Sequence, residues 1–208
     1  MNLKTYFKTV LDKKNIILSN KQIQQIITYI ELLNKWNKIY NFTSIKSLKQ
    51  IIIRHILDSI IIDKYLIGKR FIDVGTGPGL PGVPLSIVRP DAHFTLLDSL
   101  GKRVRFLRQI KYELTLENIE PIQMRVERYQ PVEKFDGIIS RAFASLIDMF
   151  LLCKHLPKKN RSQFYALKGD IYSKEILTFP SNFMINKIIS LDVPDLDEKR
   201  HLVILWSN

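Results

Sequence analysis

Apolar positions divide the chain into two regimes. In the first, Ile23, Ile26, Ile27, Ile30, Leu33 and Trp36 recur at helical spacing, with Ser19-Asn20 placed to cap the helix they define. Ser47 is placed to cap another helix running through Ile51 to Ile60. With no strand among them, residues 1–68 read as a helical extension packed on the remainder of the chain. The second regime, residues 69–208, alternates short apolar runs with helical segments. Phe71–Val74, His93–Asp98, Ile119–Met124, Phe135–Ser140 and Phe164–Leu167 read as strands. Pro81–Val88, Lys102–Leu114 and Leu146–Leu156 read as the helices between them. This rhythm predicts βαβ units and a parallel sheet. It breaks at the end: Phe183–Val193 and His201–Trp206 are joined by Pro194-Asp195-Leu196-Asp197-Glu198, too short for a crossover, and so form an antiparallel hairpin. The pattern is α/β: a Rossmann-like, mostly parallel sheet with an antiparallel C-terminal hairpin. It fits a methyltransferase better than a dehydrogenase.

The chemistry enters directly after the first strand. Asp73-Val74-Gly75-Thr76-Gly77-Pro78-Gly79 is a glycine loop that permits a tight turn and close backbone approach to a ligand. A dinucleotide fingerprint wants Gly or Ala at the next position, which here is Leu80. Asp73 suits a cationic ligand better than a phosphate, and S-adenosylmethionine carries an ammonium and a sulfonium. Asp98 ends the second strand, where a carboxylate accepts hydrogen bonds from ribose hydroxyls. Val126-Glu127 follows the third strand, beside the place of the adenine; spacing alone leaves these two open between cofactor contact and a solvated loop.

Composition narrows the partners. Of 208 residues, 46% are hydrophobic and 25% charged, ordinary for a globular chain, but the net charge is +12. Such an excess favours a polyanion, because Lys and Arg displace its counterions; an Ile- and Asn-rich chain also carries Lys through compositional bias, so the charge is supporting only. Met1 to Lys14 holds no long apolar core, which argues against a secretory signal. The densest apolar run, Ile51 to Ile62, is broken by Arg54, His55 and Asp58, so no membrane span is expected and a soluble, cytoplasmic protein is. The single cysteine, Cys153, excludes an intramolecular disulfide and reads as a buried helix residue. No metal is expected: His55 and Asp58 share a helix face but are too few, and His93 and His201 lie on distant strands. That pair reads as a fastening between the helices and the sheet domain.

The residues resemble the glucose-inhibited division protein B family over nearly the whole length. The resemblance rests on Trp36-Asn37 with Asn41-Phe42-Thr43, His55-Ile56-Leu57-Asp58-Ser59, and Gly75 through Gly82 with its Leu80-Pro81-Gly82 extension. It continues through Leu97-Asp98-Ser99, Lys102-Arg103, Phe106-Leu107, Arg125 with Glu127, Ser140-Arg141-Ala142 and Lys168-Gly169. Phe42 departs from the pattern, which more often has Leu. The resemblance implies a class I S-adenosylmethionine-dependent methyltransferase with a seven-stranded sheet, acting on N7 of a guanine in bacterial 16S rRNA (position 527 in the family). Its partner would be 16S rRNA or the small ribosomal subunit, and the protein a monomer. Gly75, Leu80, Val126, Glu127 and Arg141 would contact or frame the cofactor, with Asp73, Gly77, Gly79 and Asp98 added by the arguments above. Asn41, His55, Asp58, Arg125 and Lys168 match motif positions around the same pocket.

Guanine N7 carries a lone pair and no proton, so its methylation needs positioning and no general base. Arg141, Arg125 or Lys168 could grip guanine O6 or a phosphate. Ile139-Ser140-Arg141-Ala142-Phe143 lacks the Asn/Asp-Pro-Pro-aromatic loop common for exocyclic amines, and Cys153 sits in a helix, unlike a nucleophile for pyrimidine C5. On the helix after the second strand, Lys102 and Arg103 are the candidates for cofactor or RNA contact, while Arg105 and Arg108 read as solvated. Trp36, Tyr40 and Phe42 could stack on a flipped base, although Trp36 has core spacing. Two other readings stay open: a methyltransferase of small molecules or proteins, and a non-catalytic RNA-binding protein.

Overall fold

In the computed structural model, residues 2–141, 145–158, 162–169 and 184–206 are described. Ala142 and Phe143, in the segment after the fourth strand, and Phe183, the expected start of the hairpin, lie outside them. Seven strands form one sheet in the order β3-β2-β1-β4-β5-β7-β6. They are β1 (Arg70–Val74), β2 (His93–Asp98), β3 (Ile119–Gln123), β4 (Gly137–Arg141), β5 (Gln163–Lys168), β6 (Met184–Ser190) and β7 (His201–Trp206). The first five are parallel, and β7 runs antiparallel to both β5 and β6. The expected hairpin is therefore present. It seats His201 opposite Lys168.

The order reverses between β1 and β4. At that switch point the loops leave the sheet in opposite directions and open a crevice at the strand C-termini. Val74, Asp98 and Arg141 end β1, β2 and β4 along this edge. Helices α5 (Gly82–Val88), α6 (Gly101–Glu113) and α7 (Leu146–Cys153) connect strands.

Before the sheet come α1 (Leu3–Asp12) and α2 (Asn20–Tyr40). Ser19 caps α2 in a reciprocal capping box: its side chain accepts from Gln22 N–H, and the Gln22 side chain accepts from Ser19 N–H. Ile23, Ile26, Ile30 and Leu33 face one hydrophobic core shared with Phe71, Phe94 and Phe106 of the sheet and α6. Tyr29, fully buried on α2, donates from its hydroxyl to the Pro78 carbonyl at 2.9 Å and so ties this helix to the glycine loop. Trp36 donates to Gln109 and packs among Tyr40, Phe42 and Phe106. No described helix is long and apolar enough to cross a membrane.

Three expectations need correction. The helix from Ser47 is not uniform: α3 (Leu48–Ile51) opens into a π-helical stretch, Ile52–Leu57, before α4 (Asp58–Ile60), and Ser47 makes no side-chain cap. Ile52, Ile53, His55, Ile56 and Leu57 are all buried there, and the wider turn distributes them around the helix where a single apolar stripe could not. β4 starts at Gly137, because Phe135 is drawn into a bridge with Pro157. α7 ends at Cys153, three residues short of Leu156, which instead bonds back to the Cys153 carbonyl in a turn.

Candidate active site at the switch point

The glycine loop is held by the backbone of its neighbour strand: Gly75 and Thr76 N–H both donate to the Leu97 carbonyl, at 2.9 and 3.1 Å. Gly77 has φ +61 and Gly79 φ +99, the left-handed region that glycine occupies without strain. A Cβ on Gly79 would lie 2.4 Å from Val83 Cγ2, whereas one on Gly77 would meet nothing within 4 Å. The loop is thus closed on its Gly79 side and open at Gly77.

In front of it lies a cavity of about 360 Å³, lined by Gly75, Asp98, Ser99, Arg103, Arg125, Val126, Glu127 and neighbouring apolar residues. Asp98, 2% exposed, crosses from β2 to the loop. Its Oδ2 accepts from Gly77 N–H at 2.9 Å and Arg103 Nη1 at 3.0 Å, and its Oδ1 accepts from Leu100 N–H at 2.9 Å. A carboxylate offers about four lone-pair sites, so Asp98 retains capacity for a further donor while Arg103 is in place.

Asp73 does not face this cavity, contrary to the expectation that it lines a cationic ligand. It is fully buried behind the loop, where Oδ2 accepts from Thr76 Oγ1–H at 2.6 Å and from Gly82 N–H at 2.8 Å. The turn folds the chain back over the carboxylate, and Asp73 becomes the pin of the loop. Burial pushes its carboxyl up to about 6, against the pull of the Thr76 and Gly82 donors. Leu80 likewise joins the hydrophobic core and not the cavity wall. Gly77 and Gly79 shape the loop without lining the cavity.

A second cavity of about 400 Å³ opens at the ends of the neighbouring strands β4, β5 and β7, lined by Arg54, His55, Asp58, Arg141, Lys168 and Arg200 with a few apolar neighbours. Arg141 lies here and does not line the first cavity. Its Nη1 donates to the Arg54 carbonyl at 3.2 Å, inside the π-helical turn, and to Asp58 Oδ2 at 3.3 Å. Arg200 Nε lies 3.4 Å from Asp58 Oδ1, and Arg54 pairs with Glu198 at 2.6 Å. Burial raises the Asp58 carboxyl, and the two guanidinium groups pull it back down.

The expected fastening of helix to sheet runs through Asp58 and Arg141; His55 bonds elsewhere. Its Nε2 meets Thr43 Oγ1 at 2.9 Å and its Nδ1 the Arg54 carbonyl at 3.0 Å. Burial, with the Arg141 charge second, holds His55 down at about 4, so the ring is neutral at physiological pH. Asn41 is the exposed left-handed cap of α2, φ 51, and lines neither cavity. Cys153 is buried in α7, with its thiol pushed up to about 12 by burial. Among the described residues no group of His, Cys, Asp and Glu has the arrangement of a metal site.

Sequence alone did not point to three residues: Tyr29, Arg54 and Arg200. Arg200 left a usable signal, since an antiparallel hairpin pairing His201 with Lys168 brings position 200 to the same edge. Tyr29 and Arg54 left none beyond helical spacing.

Solved structures share this architecture. A S-adenosylmethionine-dependent methyltransferase from Aquifex aeolicus matches with a TM-score of 0.59 at 13% identity, over 76% of this chain and 93% of that one. Aeropyrum pernix fibrillarin, solved with bound S-adenosyl-L-methionine, matches at 0.54 and 15% identity, over 67% and 66%. The fold is thus that of the Rossmann-like methyltransferases.

Family and relatives then fix the chain within that class. Residues 22–203 match the family model described as rRNA small subunit methyltransferase G (GidB). A protein of that name from Photorhabdus laumondii is 59% identical over 199 residues, covering 96% of this chain and 97% of the relative. One from Yersinia pestis is 58% identical over 200 residues, with the same coverage. The chain belongs to the rRNA small subunit methyltransferase G family, and it is an S-adenosylmethionine-dependent rRNA methyltransferase.

Proposed function

We propose that the chain methylates N7 of a guanine in 16S rRNA, with the cofactor in the glycine-loop cavity and the RNA gripped at the second. The observation that carries this is the pairing of two cavities along one sheet edge. The first has the bare backbone of Gly75 in its wall and spare acceptor capacity on Asp98. The second brings Arg54, Arg141, Lys168 and Arg200 together with Asp58, the one carboxylate in its lining, while Glu198 pairs with Arg54 from outside it. The residues fit the cofactor: Gly75, at φ 69, lines the cavity with backbone alone and admits close approach, Asp98 can take a ribose hydroxyl, and Val126 and Glu127 border the place of the base. S-adenosylmethionine supplies an electrophilic methyl group on a sulfonium.

The chain's own work is then positional. N7 presents a lone pair without a proton, so no side chain need act as base. The neutral, buried His55 is consistent with this: it is hydrogen-bonded on both nitrogens and holds Thr43 and the π-helical turn in place. Arg141 and Lys168 sit where guanine O6 or a flanking phosphate would be held, and Arg125, on the rim of the first cavity, is a third donor.

The test uses methyl-labelled S-adenosylmethionine with small ribosomal subunits lacking the modification, and deproteinised 16S rRNA in parallel. The label should map to one guanine by cleavage at N7-methylguanine. Absence of label on both, from protein that binds the cofactor, would overturn the reading. Unchanged RNA methylation after joint replacement of Arg125, Arg141 and Lys168 by Ala would overturn their assignment.

A further inference from the structure

Helix α6 carries five cations, Lys102, Arg103, Arg105, Arg108 and Lys111, against one carboxylate, Glu113. Three of the chain's 11 arginines fall between positions 103 and 108, although Lys outnumbers Arg elsewhere. A general drift toward lysine does not produce such a cluster. Val104, Phe106, Leu107 and Ile110 are buried, which leaves Lys102, Arg105, Arg108 and Tyr112 on the outer face. At 3.6 residues per turn these four fall within roughly a third of the helix circumference. Tyr112 is 84% exposed.

Some surface cations of this protein find carboxylates: Lys13 pairs with Asp195, Lys69 with Asp91 and Lys158 with Asp136. Others, among them Lys8, Lys21 and Lys187, have no ion pair among the described residues but lie scattered, where those of α6 are gathered on one face. Among the described residues, Lys102, Arg105 and Arg108 have no ion pair or side-chain hydrogen bond. Four residues onward, where a helical ion pair would form, stand Phe106, Gln109 and Tyr112. The cations also oppose the helix itself. α6 has no side-chain cap and no acidic residue in its first turn, so Lys102 and Arg103 sit at the positive end of the macrodipole. Helix stability does not explain their placement.

The location supplies the missing reason. α6 begins at the rim of the glycine-loop cavity, which its own Arg103 helps to line. From Lys102 to Arg108 the helix advances about 9 Å, a length over which a nucleic-acid strand presents more than one phosphate.

We propose that the outer face of α6, through Lys102, Arg105 and Arg108, is a second rRNA-docking surface that binds the phosphate backbone on the flank of the glycine-loop cavity, away from the cavity that grips the base. The proposal rests on the assignment of rRNA as substrate. It replaces the expectation that Arg105 and Arg108 are merely solvated. All three side chains are exposed, so their loss leaves the core and both cavities intact.

The experiment measures the dissociation constant for deproteinised 16S rRNA and for small subunits across a salt series, independently of methyl transfer. The variant is Lys102→Ala with Arg105→Ala and Arg108→Ala; the charge-matched control is Lys8→Ala with Lys21→Ala and Lys187→Ala. Removing three phosphate contacts should flatten the slope of log affinity against log salt by about 2 to 3. It should weaken binding to both RNAs about tenfold or more near physiological salt, and raise KM for subunits without lowering kcat. Restoring charge as Lys102 with Arg105→Lys and Arg108→Lys should recover most of the slope. An unchanged slope, or an equal change in the control triple, would overturn the proposal. So would a loss seen with subunits but not with deproteinised rRNA, which would assign the face to a ribosomal protein. A wild-type protein that binds rRNA through this face yet transfers no methyl would refute the proposed reaction and leave the docking surface standing.

Discussion

Replacing Asp73 by Asn should reshape the dependence of stability on pH between about pH 4 and pH 6.5. Burial pushes the Asp73 carboxyl up to about 6, from 3.8. Between those values the folded chain holds a proton that the unfolded chain has released. Asp73 therefore contributes stability that is fully present below its unfolded pKa and is lost as pH rises through about 6. A displacement of about two pH units is worth about 3 kcal/mol. His55 acts in the opposite sense. Burial, and then the Arg141 charge, hold its ring at about 4, below 6.5. Its contribution is present above its unfolded pKa and is lost as pH falls through about 4, by a similar ~3 kcal/mol. In the wild type the two largely cancel. In the Asp73→Asn variant the His55 contribution is no longer offset, so relative to wild type stability should fall by about 3 kcal/mol on acidification from pH 6.5 to pH 4. In His55→Gln it should rise by about as much. Asn suits the site, because Oδ2 takes both donors and Oδ1 has no hydrogen-bond partner, so an amide NH₂ there displaces nothing. Urea unfolding followed by far-ultraviolet circular dichroism at fixed ionic strength measures both variants against wild type. Subtraction removes the other titrating carboxylates. A difference curve for Asp73→Asn that is flat within about 0.5 kcal/mol across the window would refute the burial argument.

Two glycines of the loop should fail for different reasons. Gly77→Ala forces a side chain to φ +61 in open space, so it should cost about 1–2 kcal/mol of stability and lower cofactor affinity more than tenfold. Gly82→Ala drives a Cβ to 2.3 Å from Leu96 Cδ2 and 2.8 Å from Asp73 Oδ2, so it should cost about 3 kcal/mol or more. Thermal melting with and without S-adenosylmethionine separates them, and the reverse order of stability would contradict the steric difference between the two sites. Cys153, with its thiol at about 12 and no exposed surface, should resist maleimide at neutral pH until the protein unfolds; rapid labelling of the native protein, read by mass spectrometry, would contradict its burial.

The strands and the glycine loop were legible because their determinants are local. A short apolar run ending in Gly75, Gly77 and Gly79 specifies strand and turn without reference to the rest of the chain. The direction of β7 followed from a join too short for a crossover. The π-helical turn was not legible, because Ile52, Ile53 and Ile56 fit an ordinary helix equally well, and only the packing around them selects the wider one. Nor was the fate of Asp73. Sequence places a carboxylate at the mouth of the loop, but whether it faces a ligand or the loop's own amides depends on how Gly82 returns over it.

The same gap runs through the basic residues. Arg141 and Lys168 were recognisable by position, yet the cavity they share is completed by Arg54 and Arg200, which come from a helix before the sheet and a hairpin at its far end. Asp58 draws these distant segments together, since it takes Arg141 on one oxygen and faces Arg200 with the other. A charge in the sequence becomes meaningful when its partner is known. In the second cavity Arg141 and Arg200 share Asp58 and Arg54 is held by Glu198, and such fixed cations are what positioning a base requires. Lys102, Arg105 and Arg108 on the outer face of α6 have no ion pair among the described residues, which leaves them available to the phosphate backbone of the proposed docking surface. The division of the basic residues into a fixed set and a free set is what the net charge of +12 could not reveal.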